Sequence, residues 1–371
     1  MGQDITHTVF FELLRAGLWE MKVWLSPYKR IDFSGILNLA EEQSVVGLIA
    51  AGIEQVEDFK PKKQDILQLI GQALQIEQQN NAMNSFIGLL VDKMRRDGIY
   101  TLLLKGQGIA QCYARPLCRA CGDVDFFLSE DNYEKAKKYL VPLAASVDSE
   151  EPISKHLGMT IDSWVVELHG SLRCGLSARI DKGLDSVYRD TFYGGSVRSW
   201  DNDGVQVFQL KAENDAIYVF THILNHFYRG GIGVRQICDW SRLLWKYQDS
   251  IDRKLLETRI TKMGLMTEWK AFGAFAVEYL GMPLGAMPFY SPDKKWKRKA
   301  DRICSFIMEV GNFGRSRDNS YYNKPFVIRK TLSFGRRCGD LMRHARIFPM
   351  NSIMFLPGIV FNGLRAALKG E

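Results

Sequence analysis

The hydrophobic period of this chain changes twice, and those changes limit its fold more than any single motif does. Up to residue 98 apolar residues recur at three- and four-residue spacing, as in "THTVFFELLRAGLWEMKVWL" and in the long stretch from Pro61 to Gly98. That spacing gives a helix one apolar face. Pro61 near the start of the long stretch and Asp97-Gly98 at its end suit helix boundaries. Between 99 and 210 the apolar runs shorten and stop at glycine or turn residues. "IYTLLLKG" (99–106), "DVDFFL" (123–128), "ISKHLGMT" (153–160), "WVVELHGSL" (164–172) and "GVQVFQL" (204–210) read as strands. "GQGIAQCYA" (106–114) and "DNYEKAKKYL" (131–140) read as helices, the second opened by a capping box of Asp131 and Glu134. Ile161-Asp162-Ser163 reads as a turn. From Lys211 the helical spacing returns, over 213–228, 233–247 and 266–280. The pattern predicts an α+β chain in three parts: an N-terminal helical region (1–98), an α/β core (99–210) and a C-terminal helical region with basic segments (211–371).

With 371 residues, 46% of them apolar and 25% charged, the chain can build a core without disulfide staples. Its seven cysteines are odd in number and irregular in spacing, which favours a reducing, cytoplasmic setting over a secreted scaffold. The start "MGQDITHTVFFELL" lacks the basic and long apolar parts of a signal peptide. Gly2 and Thr6 fit the short, permissive myristoylation pattern. No run of about 18 apolar residues predicts a transmembrane helix. The net charge of +7 is concentrated in "KKWKRKADR" (294–302) and in 328–346. Solvated helix faces account for such segments; nucleic acid, acidic lipid and polyphosphate are the partners they would otherwise suit. The apolar stretch 349–371 suits docking on the protein body or peripheral contact with a membrane surface.

Two motifs overlap in "PLCRACGDVDFFL" (116–128). Cys118 and Cys121 form a C-x-x-C, but no second pair follows at zinc-finger spacing, and the motif leads into a strand where a thioredoxin-like pair would open a helix. Asp123 and Asp125 form a D-x-D. In a strand these alternate side chains share a face, while Val124 turns to the other. Two such carboxylates can share a hard cation such as Mg²⁺. Upstream, Lys105-Gly106 marks a strand-to-helix turn where backbone N–H groups suit a phosphate, with Gly106 and Gly108 allowing close approach. Glu167 in "VVELHG" becomes a third carboxylate on that face if its strand lies beside the D-x-D strand, and three carboxylates can hold two metal ions. Gly122 removes side-chain bulk just before the pair. His169 is expected on the opposite face from Glu167, as a core or supporting residue.

The order K-G, helix, R-x-x-G-D-x-D, then E-L-H resembles the nucleotidyltransferases of the DNA polymerase β superfamily. More narrowly, it is similar to a bacterial nucleotidyltransferase family with "LLKG…RxxGDxD…ELH". "LLRAGLW" and "HILNHF…GIGVRQICDW" are similar to that family's flanking helices. The resemblance implies a small mixed-sheet, polymerase β-like core. It implies transfer of a nucleoside monophosphate from an NTP, ATP foremost, to an acceptor hydroxyl, with pyrophosphate leaving. By motif position Asp123, Asp125 and Glu167 would be the catalytic, metal-holding residues for Mg²⁺ or Mn²⁺. Gly106 would sit against the triphosphate. The chain departs from the pattern at Gln107, where a glycine or serine is usual, so Lys105 and Arg119 become candidates to neutralise the phosphates. Lys105, Gly106, Gln107, Arg119 and Gly122 thus form the expected nucleotide-binding set. Arg119 in a plain salt bridge is the competing reading. The acceptor is left open, and a non-catalytic nucleotide-binding or interaction module of the same fold is the alternative.

His222 and His226 are four residues apart on one helix face, with Asp239 on the next helix. They suit a zinc or iron site, ordinary packing, or a helix pair that closes over the core. In the last case His226, Arg235 and Asp239 would contact nucleotide or acceptor. "GNFGRS" (311–316) is glycine-rich but follows no strand.

Overall fold

A computed structural model describes residues 5–59, 61–151, 154–314, 317, 326–355 and 357. The N-terminal apolar spacing forms α1 (Ile5–Trp19), α2 (Phe33–Glu42), α3 (Val46–Ile53) and the long α4 (Lys63–Arg96). Asp97 caps α4 and Gly98 follows at φ +69°, as the Asp-Gly pair predicts. Helices α1 and α3 touch backbone to backbone. A Cβ on Gly17 would lie 1.9 Å from the Leu48 carbonyl oxygen, and one on Gly52 would lie 2.0 Å from that of Leu13.

Seven strands form one mixed sheet: β1 (Leu102–Leu104), β2 (Asp123–Phe127), β3 (Ser146–Val147), β4 (His156–Ile161), β5 (Trp164–His169), β6 (Val197–Asn202) and β7 (Val205–Leu210). Their order is β3-β4-β5-β2-β1-β7-β6. β2 runs parallel to β5 and β1 parallel to β7, while the other neighbours are antiparallel. The short helix α5 (Gly106–Ala110) follows β1 directly, and α6 (Glu130–Leu140) and α7 (Ala178–Phe192) fill the other connections.

Strand alternation sorts the side chains into two cores. Leu103, Val124, Phe126, Val166, Leu168 and Val207 pack with Met83, Ile87 and Val91 of α4 and with Tyr133 and Leu140 of α6. Leu102, Leu104 and Phe127 face the opposite side, where Ile180, Leu184 and Val187 of α7 join the C-terminal helices. Those helices are α8 (Ala212–Arg229), α9 (Val234–Lys246), α10 (Arg253–Met263), α11 (Met266–Glu278), α12 (Lys294–Val310) and α13 (Phe326–Ile347). Phe220, Trp240 and Trp269 interlock at ring-centroid distances of 4.6 to 5.0 Å. Aromatic contacts of this kind add about 0.5–1.5 kcal/mol each beyond area burial, so α8, α9 and α11 form a rigid backing to the sheet.

Several local expectations change. The N-cap of α6 is Ser129, two residues before the expected Asp131 cap, and Asp131 lies inside the first turn. There its charge still favours the helix N-terminus. The predicted strand 99–106 shortens to three residues and the helix 106–114 to five, because Lys105 and Gly106 turn the chain at φ +46° and +43°. β3, β6 and α7 were not expected. β6 alternates exposed and half-buried residues, which leaves little apolar signal at an edge. No helix among the described residues is long and apolar enough to cross a membrane. Most of the C-terminal stretch 349–371 and part of "GNFGRS" lie outside the described residues.

Candidate active site

The register of β2 and β5 places Asp125 beside Glu167 and Asp123 beside Val165. Val124 and Val166 point to the α4 side, so Asp123, Asp125 and Glu167 project together on the other face. Each offers a carboxylate oxygen within 4.8 Å of the others. They line a cleft of about 450 Å³ together with Lys105, Gly106, Arg119, Gly122, His222, Arg235 and Asp239. Asp125 is 1% exposed, and its Oδ2 has no hydrogen-bond partner. An orphaned buried carboxylate oxygen costs stability unless something occupies it. A Cβ on Gly122 would meet nothing within 4 Å, so open space lies directly in front of the acidic strand.

The basic groups divide in a way the sequence does not reveal. Lys105 Nζ stands 3.0 Å from Asp125 Oδ1. Burial would lower its pKa, but the Asp125 carboxylate together with Tyr218, Asp123 and Glu167 outweighs that and raises it, so Lys105 stays charged. Arg119 Nε and Nη2 donate to Asp239 Oδ1 and Oδ2 at 3.0 and 2.6 Å, and Tyr113 OH donates to the same Oδ1 at 2.7 Å. Both members of this ion pair are buried, so the salt-bridge reading of Arg119 describes its contacts. Arg235 donates from Nη1 to the Ala120 carbonyl, and its Nε has no partner. Burial and then the neighbouring Arg119 charge lower its pKa. Among the described residues, Arg235 is the cleft's only arginine or lysine without a carboxylate partner.

Gln107 is buried with its amide donating to Asn80 Oδ1 at 2.7 Å, and Asn80 in turn donates to the Leu117 and Arg119 carbonyls. The Gln107 side chain therefore braces the 116–119 turn and is absent from the cleft lining. Cys118 is buried and donates to Glu77, and burial pushes its thiol up to about 12. Cys121 is also buried, with its thiol raised for the same reason. Both stay protonated and packed, which leaves the C-x-x-C without reactive thiolate character.

His222 lines the cleft, whereas His226 stands behind it with Nε2 3.0 Å from His222 Nε2. Burial, then the Lys105 charge, holds His222 well below its ordinary pKa, and the same causes bring His226 to about 4. The two rings are neutral, one donating to the other. With Asp239 committed to Arg119 and Tyr113, these three do not form one of the metal-suited clusters found among the described residues.

The expectation for His169 is corrected. Residues two apart in a strand share a face, so His169 projects beside Glu167. Its Nε2 lies 2.8 Å from Asp125 Oδ1 and 3.4 Å from Glu167 Oε2. His156, which sequence reasoning missed, is the cross-strand partner of His169 and reaches Glu167 Oε2 at 3.1 Å. Burial would raise the Glu167 pKa, but the hydrogen bonds from His156 and then His169 outweigh it and hold the carboxylate well below its usual range. The negative charge of Asp125, followed by burial, pushes Asp123 up. A dense anionic cluster of this kind suits a divalent cation.

The family described as "uncharacterised nucleotidyltransferase" matches residues 29–281, which span the helices α2 to α4, the whole sheet and α8 to α11. No curated protein and no solved structure matches the chain.

Proposed function

Since this chain belongs to the family of uncharacterised nucleotidyltransferases, we propose that it transfers a nucleoside monophosphate from an NTP, ATP foremost, to an acceptor hydroxyl. The observation that carries the reading is the convergence of Asp123, Asp125 and Glu167 on the cleft floor, with Asp125 Oδ2 unpartnered. Those three side chains would hold Mg²⁺ or Mn²⁺, which when bound neutralises phosphate charge and acidifies the acceptor hydroxyl. Lys105 fixes the rotamer of Asp125 through the Oδ1 contact and leaves Oδ2 without a competing protein partner. Gly122 gives the nucleotide room at the strand start. Arg235 is the phosphate-binding cation of this reading, because its guanidinium is not neutralised by a carboxylate. Arg119 and Asp239 line the cleft but are committed to each other. They hold the turn that leads into Asp123, while the backbone at Gly106 faces the phosphates. In the reaction the acceptor oxygen gains a bond to the α-phosphorus, the bond to the pyrophosphate oxygen breaks, and the hydroxyl proton passes to a carboxylate or to solvent.

The test is pyrophosphate release from each of four NTPs, with Mg²⁺ and a mixed panel of hydroxyl acceptors. Wild type should release pyrophosphate with at least one pairing, and Asp123→Asn should lower the rate by at least a hundredfold while the protein stays folded. Release that survives Asp123→Asn sinks the assignment of the carboxylates. No release by wild type, with nucleotide still bound, leaves a binding module of the same fold.

A further inference from the structure

We propose that the cleft carries a second, nitrogen-rich metal position formed by His156, Glu167 and His169, which takes a borderline transition-metal dication such as Mn²⁺, Co²⁺ or Zn²⁺ in preference to Mg²⁺. It shares Glu167 with the proposed reaction. It rests on that reading only for what the ion would contribute to turnover, and its binding can be measured without it.

The argument starts from the hairpin. β4 and β5 pair with Ile161 opposite Trp164, and stepping back along that register brings His156 opposite His169 and Gly158 opposite Glu167. On the β4 side Glu167 therefore faces a residue without a side chain, and the two imidazoles stand as a cross-strand pair two positions further along the hairpin. Both rings aim the same atom type at the same oxygen: His156 Nε2 and His169 Nε2 stand 3.1 and 3.4 Å from Glu167 Oε2. Their ring centroids are 4.8 Å apart. All three ligand atoms lie within 4.8 Å of one another. Ligand atoms around a tetrahedral ion with metal–ligand distances of about 2.0–2.2 Å sit roughly 3.3–3.5 Å apart. The His169–Glu167 separation of 3.4 Å matches that spacing, and the His156–Glu167 separation of 3.1 Å is slightly shorter.

Donor chemistry then separates this position from the neighbouring one. Asp123 and Asp125 offer only oxygen, which suits Mg²⁺, whereas two imidazoles and one carboxylate suit the later first-row ions. Glu167 belongs to both groups and can bridge them. The His169 and Lys105 contacts of Asp125 use Oδ1, while its buried Oδ2 has no hydrogen-bond partner. The oxygen-only position thus keeps an unpartnered ligand atom, while His169 Nε2 exchanges its 2.8 Å contact with Asp125 Oδ1 for the ion. His156 is one-third exposed at the mouth of the hairpin, so an ion can reach the pair from solvent.

The experiment titrates Co²⁺ into chelator-stripped, full-length protein without nucleotide and follows visible absorbance. Four- or five-coordinate cobalt absorbs far more strongly than the aqueous ion. One equivalent should develop a band that a hundredfold excess of Mg²⁺ does not remove. His156→Asn, and separately His156→Gln, should weaken binding by at least tenfold with an unchanged melting transition, while Asp123→Asn keeps the band within about threefold in affinity. The proposal is overturned if no saturable band forms, if Mg²⁺ displaces it, or if Asp123→Asn abolishes it while both His156 variants retain it. A cobalt band in a protein that never releases pyrophosphate keeps the site and removes the reaction. Turnover with Mg²⁺ in a protein that forms no band does the reverse.

Discussion

Replacing Asp239 by Asn should destabilise the protein far more than a change in one surface charge would. Asp239 accepts two hydrogen bonds from Arg119, at 3.0 and 2.6 Å, and one from Tyr113, at 2.7 Å. Asn keeps one oxygen and turns an NH₂ group toward a donor. Arg119 is then left as a buried charge without a counter-ion, 5% exposed. Removing one partner of a buried ion pair costs about 3–5 kcal/mol. Nothing nearby offers relief, because the other cation at this spot is Arg235, whose charge already opposes Arg119. Urea unfolding of the full chain at pH 7, analysed by linear extrapolation, measures the loss. The double variant Arg119→Met with Asp239→Asn should recover at least about 2 kcal/mol of it, since no uncompensated charge is left to bury. A loss below about 1 kcal/mol for Asp239→Asn, or a double variant no better than the single one, would refute the view that this pair is structural. The turn it braces runs straight into Asp123, so Asp239→Asn should also weaken nucleotide binding without Asp239 touching the nucleotide.

Arg235→Gln should weaken MgATP binding by roughly ten- to a hundredfold, in line with a lost charged hydrogen bond, as read by calorimetry. Its stability should hold or rise slightly, because the change removes a charge buried beside Arg119. Glu268 is 1% exposed, with Oε1 accepting from Asn351 and Oε2 unpartnered, and burial pushes its carboxyl from 4.5 up to about 7. The unfolded chain releases that proton near 4.5 and the folded chain near 7, so stability falls as pH rises through this window, by about 3 kcal/mol in all. Melting curves should show Glu268→Gln gaining on wild type at pH 8 and matching it near pH 4.5; equal gains at both values would contradict the assignment. Gly52→Ala should cost about 1–3 kcal/mol or more in urea unfolding, because the new methyl meets the Leu13 carbonyl and helices α1 and α3 must part.

Much of this site was legible because strand geometry is periodic. The alternation in "DVDFFL" put Asp123 and Asp125 on one face and Val124 on the other, and the flanking Phe126 and Phe127 are buried as such a strand requires. The approach of Glu167 needed one further condition, that its strand lie beside β2, and the parallel register supplies it. His169 was within reach of the same rule, since two residues from Glu167 means the same face. His156 was also within reach of arithmetic. A turn at Asp162-Ser163, with Asp162 at φ +54°, fixes the hairpin register and so brings position 156 opposite position 169. What no local rule provides is the edge strands β3 and β6, whose exposed residues carry little apolar pattern.

The assignment of the cations was illegible for a different reason. Lys105 and Arg119 both neighbour the motif in sequence, and both look equally ready for phosphate. Their availability depends on which carboxylate each meets, and Asp239 meets Arg119 across 120 residues of chain. Burial makes that choice decisive. A desolvated guanidinium held by two bonds to a carboxylate cannot leave for a phosphate without stranding the carboxylate, which costs several kcal/mol. Arg235 carries no such debt among the described residues. The same logic applies to Gln107. Its amide is consumed by Asn80 in holding the 116–119 turn, so at the position where a glycine or serine is usual this chain offers a brace for the loop. On the proposed reading, the phosphate grip comes from backbone at Gly106 and from Arg235, which lines the cleft from α9.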